Sequence, residues 1–178
     1  MSEHPPSAEG FDVSRFTGTW SILVTNYGFW RHRTHPTVTY ERLPGPEGGP
    51  VSLRDTLRFR KKPLLGGAPR PGVLAGVDVQ DPLRPASFLW RGDGLLHLIK
   101  SPWSVVAVGP DADWAVTYFA RSNVGTAAGM DIYGRGPSLP AETMDAILAR
   151  LRRDPFMAPL TRGLFATVHD GAGRYRLD

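Results

Sequence analysis

Short runs of alternating apolar and polar positions dominate the chain, with turn residues between them. In the clearest run, 51–60, Val51, Leu53, Asp55, Leu57 and Phe59 share one face, while Ser52, Arg54, Thr56, Arg58 and Arg60 share the other. A period of two with one apolar and one polar face predicts a strand that is buried on one side and wet on the other. Shorter runs predict strands at 20–26, 37–43, 73–79, 86–91, 103–108, 114–121 and 130–135, and 95–99 reads as either a strand or a short apolar lid. Turn signals rich in Gly, Pro and Asp fall between them, at 44–50, 81–85, 92–94 and 109–111.

The period changes after residue 137. Ser138 is placed to cap a helix whose first turn holds Pro140 and Glu142. Met144, Ile147, Leu148 and Leu151 follow at helical spacing and form one apolar stripe. Arg150, Arg152 and Arg153 occupy the last turn, where the helix dipole favours cations, and Asp154 and Pro155 end it. In the tail, 164–168 reads as one more short strand.

Eight or nine half-wet strands without crossover helices predict an antiparallel, up-and-down sheet. Closing such a sheet removes its edges, and about eight strands leave an interior able to hold one small ligand. The predicted organisation is a flexible polar arm at 1–10 and a single domain at 11–178.

Composition narrows the function classes. There is no Cys, which excludes disulfides, thiolate metal sites and cysteine nucleophiles. No apolar run approaches the ~18 residues of a membrane span, and the first ten residues lack the basic start and apolar stretch of a secretory signal. A cytoplasmic location is the expectation. The net charge is +4, carried mostly by arginines scattered along the chain. That pattern describes a solvated surface rather than a nucleic-acid face. No phosphate-binding loop, dinucleotide fingerprint or Ser-His-Asp arrangement is visible. His32 and His35 stand three apart with no acidic residue beside them, a poor metal site. No metal or cofactor is expected.

Four segments carry a resemblance. Residues 11–20, with Gly18 and Trp20 at their end, resemble the opening motif of the lipocalins and most of all its bacterial branch. Residues 36–40 resemble that branch's second strand, 109–116 the turn before its seventh, and 132–137 its final strand with Arg135. The resemblance spans about 11–153. It implies an eight-stranded, lipocalin-like β-barrel with one C-terminal helix packed outside. It also implies structural roles for Gly18, Trp20 and Arg135, the guanidinium lying across the indole that closes the barrel floor. Trp114 stands where the family's second motif carries a Tyr, and no Cys is present to match that of the exported lipoprotein members.

Such a fold supplies a pocket rather than a reaction. The resemblance implies a protein that binds a small hydrophobic molecule. The alternative is a cofactor-independent cyclase or isomerase, for example a (4+2) cyclase of polyketide biosynthesis that folds a flexible substrate. The expected partner is a small apolar ligand or substrate, and the expected state a monomer or homodimer.

Strand parity selects the lining. Counting from Trp20 turns Ile22, Val24 and Asn26 inward; the next strands offer Val38 and Tyr40, then Leu53, Asp55 and Leu57. Phe88 and Trp90 follow, and counting back from Arg135 adds Tyr133 and Asp131. Asp55 interrupts an apolar face. A carboxylate there is costly unless partnered, and burial raises its pKa. Asp55 and Tyr133 are therefore the candidate catalytic or ligand-anchoring groups; an inward arginine or a place near the wet mouth would give Asp55 a purely structural role instead. The segment 27–35, with Phe29, Trp30, His32 and His35, is placed at the open end as an entry loop or lid.

Overall fold

The structure, a computed structural model, describes residues 5–63, 67–171 and 175–177. A single turn of helix, α1 (Val13–Phe16), leads into β1 (Gly18–Thr25). The wall continues through β2 (Arg33–Arg42), β3 (Ser52–Lys61), β4 (Arg70–Asp81) and β5 (Arg84–Gly92). It is completed by β6 (Lys100–Val108), β7 (Trp114–Phe119) and β8 (Gly129–Gly134). Helix α2 (Ala141–Arg153) and a two-residue strand, β9 (Phe165–Ala166), follow. Every pairing is antiparallel; β1 to β8 pair in chain order, and β1 also pairs with β8, which closes an eight-stranded barrel.

The seam at β1 is shared. Residues 18–21 pair with β2, whereas Val24 and Thr25 pair with β9. β2 turns away between Thr34 and Thr37, where its register shifts, His35 takes a positive φ of 54° and Pro36 has no N–H to give. The tail fills the gap: the Thr167 amide donates to the Leu23 carbonyl and the His35 amide to that of Val168.

Two apolar cores result. One fills the barrel, and the other lies between its outer wall and α2. All four stripe residues of α2 are buried against Leu23, Val106, Val116 and Ile132, each contributing on the order of 1.5–3 kcal/mol. The helix starts at Ala141 after Pro140 and has no side-chain cap, so Ser138 does not cap it. Asp154 ends it by accepting from the amides of Phe156 and Met157.

The lower end is sealed. The Arg135 guanidinium lies 3.5 Å above the Trp20 ring and donates to the carbonyls of Ala112, Thr19 and Arg15. Gly18 takes φ 97°, and a β-carbon there would press on the same guanidinium at 3.2 Å, which is why a glycine precedes the tryptophan by two. The arm crosses this closed end: the Ala8 amide donates to Val105, and Phe11 packs on Phe16 and Phe88. The flexible arm predicted at 1–10 is thus anchored at Ala8; its first four positions lie outside the described residues. No helix among the described residues is long and apolar enough to cross a membrane.

Candidate functional site

Above the Trp20 floor the barrel holds a cavity of about 370 Å³, within the ~300–1,000 Å³ usual for small-molecule sites. The floor beneath it is aromatic. Phe16 sits 5.3 Å from Trp20 and 5.0 Å from Tyr40, and Trp103 stacks on Phe88 at 4.6 Å. The mouth is built by the β1–β2 connection, where a 3-10 turn (Gly28–His32) puts Phe29 and Trp30 over the opening. A second 3-10 turn (Gly94–Leu96), in the β5–β6 connection, adds Leu96 from the other side. The 95–99 segment is therefore a rim rather than a strand. It turns the half-buried Leu96 and Ile99 toward the cavity while Leu95 is 98% and Leu98 67% exposed.

The residues expected inside divide three ways. Trp30, Val38, Tyr40, Asp55 and Leu57 line the cavity, as do Trp90, Asp131 and Tyr133. Ile22, Leu53 and Phe88 are buried in the barrel core but do not line it. Val24 and Asn26 are corrections. β1 carries a bulge between Ile22 and Val24, so Ile22 pairs with inward Tyr133 while Val24 pairs with outward Ile132. The extra residue reverses parity, and Val24 packs in the outer core with Leu23. Asn26 bridges the wall to the tail, accepting from the Met130 amide and donating to the Leu160 carbonyl. The bulge restores Thr25, opposite Asp131, to the inner face. His35 also leaves the mouth: its Nε2 lies 3.1 Å from Asp170 of the tail.

Asp78 is a buried interior group that parity did not select. The strand 73–79 carries Val73, Ala75, Val77 and Val79 at alternate positions, a pattern that invites turning the valines inward. The ladder decides otherwise, because Asp55 faces Gly76 directly across β3 and β4, and directly paired residues share a face. Gly76 and Asp78 therefore point in, and Val73 is left 53% exposed. Gly76 also makes room: a β-carbon there would overlap the Trp90 indole. The one signal in the sequence is the Gly76–Asp78 pair on the face opposite the valines.

The polar groups form an arc around the deep end. The Tyr40 and Tyr133 hydroxyls are 3.4 Å apart, and the Trp103 indole donates to Asp78 at 2.6 Å. Asp55 Oδ1 and Asp131 Oδ1 are buried without a hydrogen-bond partner, and so are the indole nitrogens of Trp30 and Trp90. Burial pushes the Asp131 carboxyl up to about 7, against a smaller downward pull from the Thr25 hydroxyl. Burial likewise raises Asp55, which Arg54 outside the wall partly opposes. Asp78 is raised well above the usual carboxylate range by burial and then by the charge of Asp55. Both tyrosines are held neutral, chiefly by burial. Chemically, the site offers an apolar aromatic chamber whose deep end holds carboxyls able to accept or donate a proton near neutrality.

The chain matches no family model. It matches no curated protein sequence. Solved structures do resemble it. Insecticyanin from the tobacco hornworm Manduca sexta superposes with a TM-score of 0.62 at 11% identity, over 98% of this chain and 90% of its own. Apocrustacyanin C1 gives 0.62 at 12% identity, over 90% and 81%. LTBP1 in its complex with LTC4 gives 0.55 at 16% identity, over 91% and 89%. At these identities the likeness is one of fold, and the fold is that of the lipocalins.

Proposed function

We propose that this chain, a barrel with the lipocalin fold, binds one small, largely apolar molecule inside the barrel. The observation that carries the reading is the mouth-side cavity of about 370 Å³ walled by Trp30, Val38, Leu57, Leu74, Trp90 and Phe119. A closed sheet with an open upper end and a sealed floor can receive a ligand without disturbing its own core. The likeness in fold to LTBP1, whose structure was solved as a complex with LTC4, lends support.

Two measurements test it. Native mass spectrometry of the purified chain, followed by extraction, is expected to show one bound molecule or to accept one on addition. Titration with the neutral fluorophore N-phenyl-1-naphthylamine is expected to saturate at one per chain. Leu74→Trp, which fills the chamber, should weaken that binding at least about tenfold, a loss of ~1.4 kcal/mol. Saturable binding that Leu74→Trp leaves untouched would place the ligand elsewhere and refute the reading.

A second reading, a cofactor-independent cyclase or isomerase, draws on the Asp55 carboxyl, which faces this chamber unpartnered. Such an enzyme would use Asp55 as acid or base and Tyr133 as a hydrogen-bond donor to a substrate carbonyl. Turnover of linear polyene substrates, abolished in Asp55→Asn, is its test. Turnover at the parental rate in that variant removes Asp55 from the chemistry.

A further inference from the structure

The barrel interior holds three carboxyl groups and, among the described residues, no cation to match them. Asp55 and Asp131 approach the cavity from opposite sides of the seam, on β3 and β8, and each leaves an oxygen buried and unpartnered. They are 7% and 5% exposed. Asp78 lies just below and receives only the Trp103 indole. No Lys, Arg or His lines the chamber.

Of the two basic groups nearby, neither is paired with a chamber carboxyl, although the Arg33 Nε at the mouth is itself buried without a partner. Arg54 forks onto Asp93 outside the wall. Arg33 lies 3.5 Å over the Phe29 ring at the mouth and donates to the Phe29 carbonyl. Protonation can keep these acids neutral at low pH, but once they ionise they need a positive partner, and none of the side chains lining the chamber supplies one.

Resting on the cavity reading above, we infer that the ligand is an organic cation: a protonated amine on an apolar or aromatic body, its ammonium paired with a chamber carboxylate, Asp55 or Asp131. An ammonium supplies the donors and the positive charge that the two carboxylates lack. The aromatic walls attract it as well, since a cation is drawn to the face of an indole or phenyl ring. A neutral ligand is a poorer fit, because the Tyr40 and Tyr133 hydroxyls already offer donors to any carbonyl while the carboxylates would remain unmatched. The unpartnered indole N–H groups of Trp30 and Trp90 add that an ether, hydroxyl or carbonyl oxygen elsewhere on the amine would be accommodated.

The inference carries a pH dependence. The groups facing Asp55 are Tyr40, Asp78 and Tyr133, with Arg54 behind the wall. Those facing Asp131 are Thr25, Tyr27 and Tyr133. The tyrosines stay neutral below pH 9, so the carboxyls alone set the profile. An alkylamine, like a lysine side chain (~10.4), stays charged throughout. Binding should therefore be strongest above pH 7.5 and weaken as the carboxyls take up protons.

Three probes with one ring system provide the test: 2-(1-naphthyl)ethylamine, 2-(1-naphthyl)ethanol and 1-naphthylacetate, each titrated calorimetrically into the full chain. At pH 8 the amine is expected to bind at least about tenfold more tightly than the alcohol, as charge-assisted hydrogen bonds require, with the acetate weakest. The amine's advantage should shrink toward unity at pH 5.5 and in the Asp55→Asn/Asp131→Asn double variant. Should that variant fail to fold, the pH profile of the parent still decides. An alcohol that binds as well as the amine at pH 8, or an acetate that binds best, overturns the cation and leaves the cavity standing. An amine preference that survives in the double variant overturns the assignment to these carboxyls. Absence of binding by all three overturns both this inference and the cavity reading.

Discussion

Replacing Asp131 with Asn should stabilise the protein, by an amount that depends on pH. The side chain is buried on β8 beside Thr25, and Asn keeps its size and its capacity to accept from that hydroxyl while removing the charge. In the fold the carboxyl titrates at about 7, against 3.8 ordinarily. Below pH 3.8 it is protonated in both folded and unfolded chains and makes no difference. Between 3.8 and 7 the unfolded chain releases the proton while the fold retains it, so parental stability falls as pH rises. At ~1.4 kcal/mol per pH unit the loss reaches about 4 kcal/mol and levels off above pH 7. The Asn variant lacks this loss. Asp55 and Asp78 titrate in both proteins and cancel in the difference. A domain of this size shifts its Tm by ~2–4 °C per kcal/mol, so the variant should melt on the order of 10 °C higher at pH 8 and nearly level with the parent at pH 4. Thermal unfolding followed by circular dichroism across that range checks it. A difference between the two proteins that stays constant from pH 4.5 to 8 would refute the burial argument.

Arg135→Met, which keeps the stem and removes the guanidinium, should cost about 2–4 kcal/mol in urea unfolding, because one side chain supplies the Trp20 contact and three carbonyl hydrogen bonds; an unchanged midpoint would show that the floor does not need it. Leu148→Ala should cost about 2–5 kcal/mol, since the residue is 1% exposed between α2 and the wall, and cavity binding should survive it if the helix only braces the outside. Trp103→Phe strips Asp78 of its indole donor; it should destabilise by roughly 1–3 kcal/mol at pH 8, and a neutral result would mean that water or another group already serves that carboxyl.

Much of this protein was legible without coordinates where local chemistry and packing agree. The alternation at 51–60 identified the inner face of β3 correctly, because there the polar set is too charged to be buried. The spacing of Met144, Ile147, Leu148 and Leu151 placed the buried stripe of α2 for the same reason. The Gly18 and Trp20 pair with Arg135 pointed to the sealed floor, whose φ and stacking demand those residue types. What remained was decided by long-range pairing. Periodicity says which residues alternate but not which set faces in, and only the β3–β4 register turns Asp78 inward and its valine neighbours out. One inserted residue in β1 moved Val24 and Asn26 to the outside, and nothing local to 20–26 announces a bulge that is imposed by pairing with β8 and by the tail. The partnerless state of Asp55 and Asp131 is likewise a property of the closed barrel, since whether a carboxyl meets a base depends on the strands brought around it.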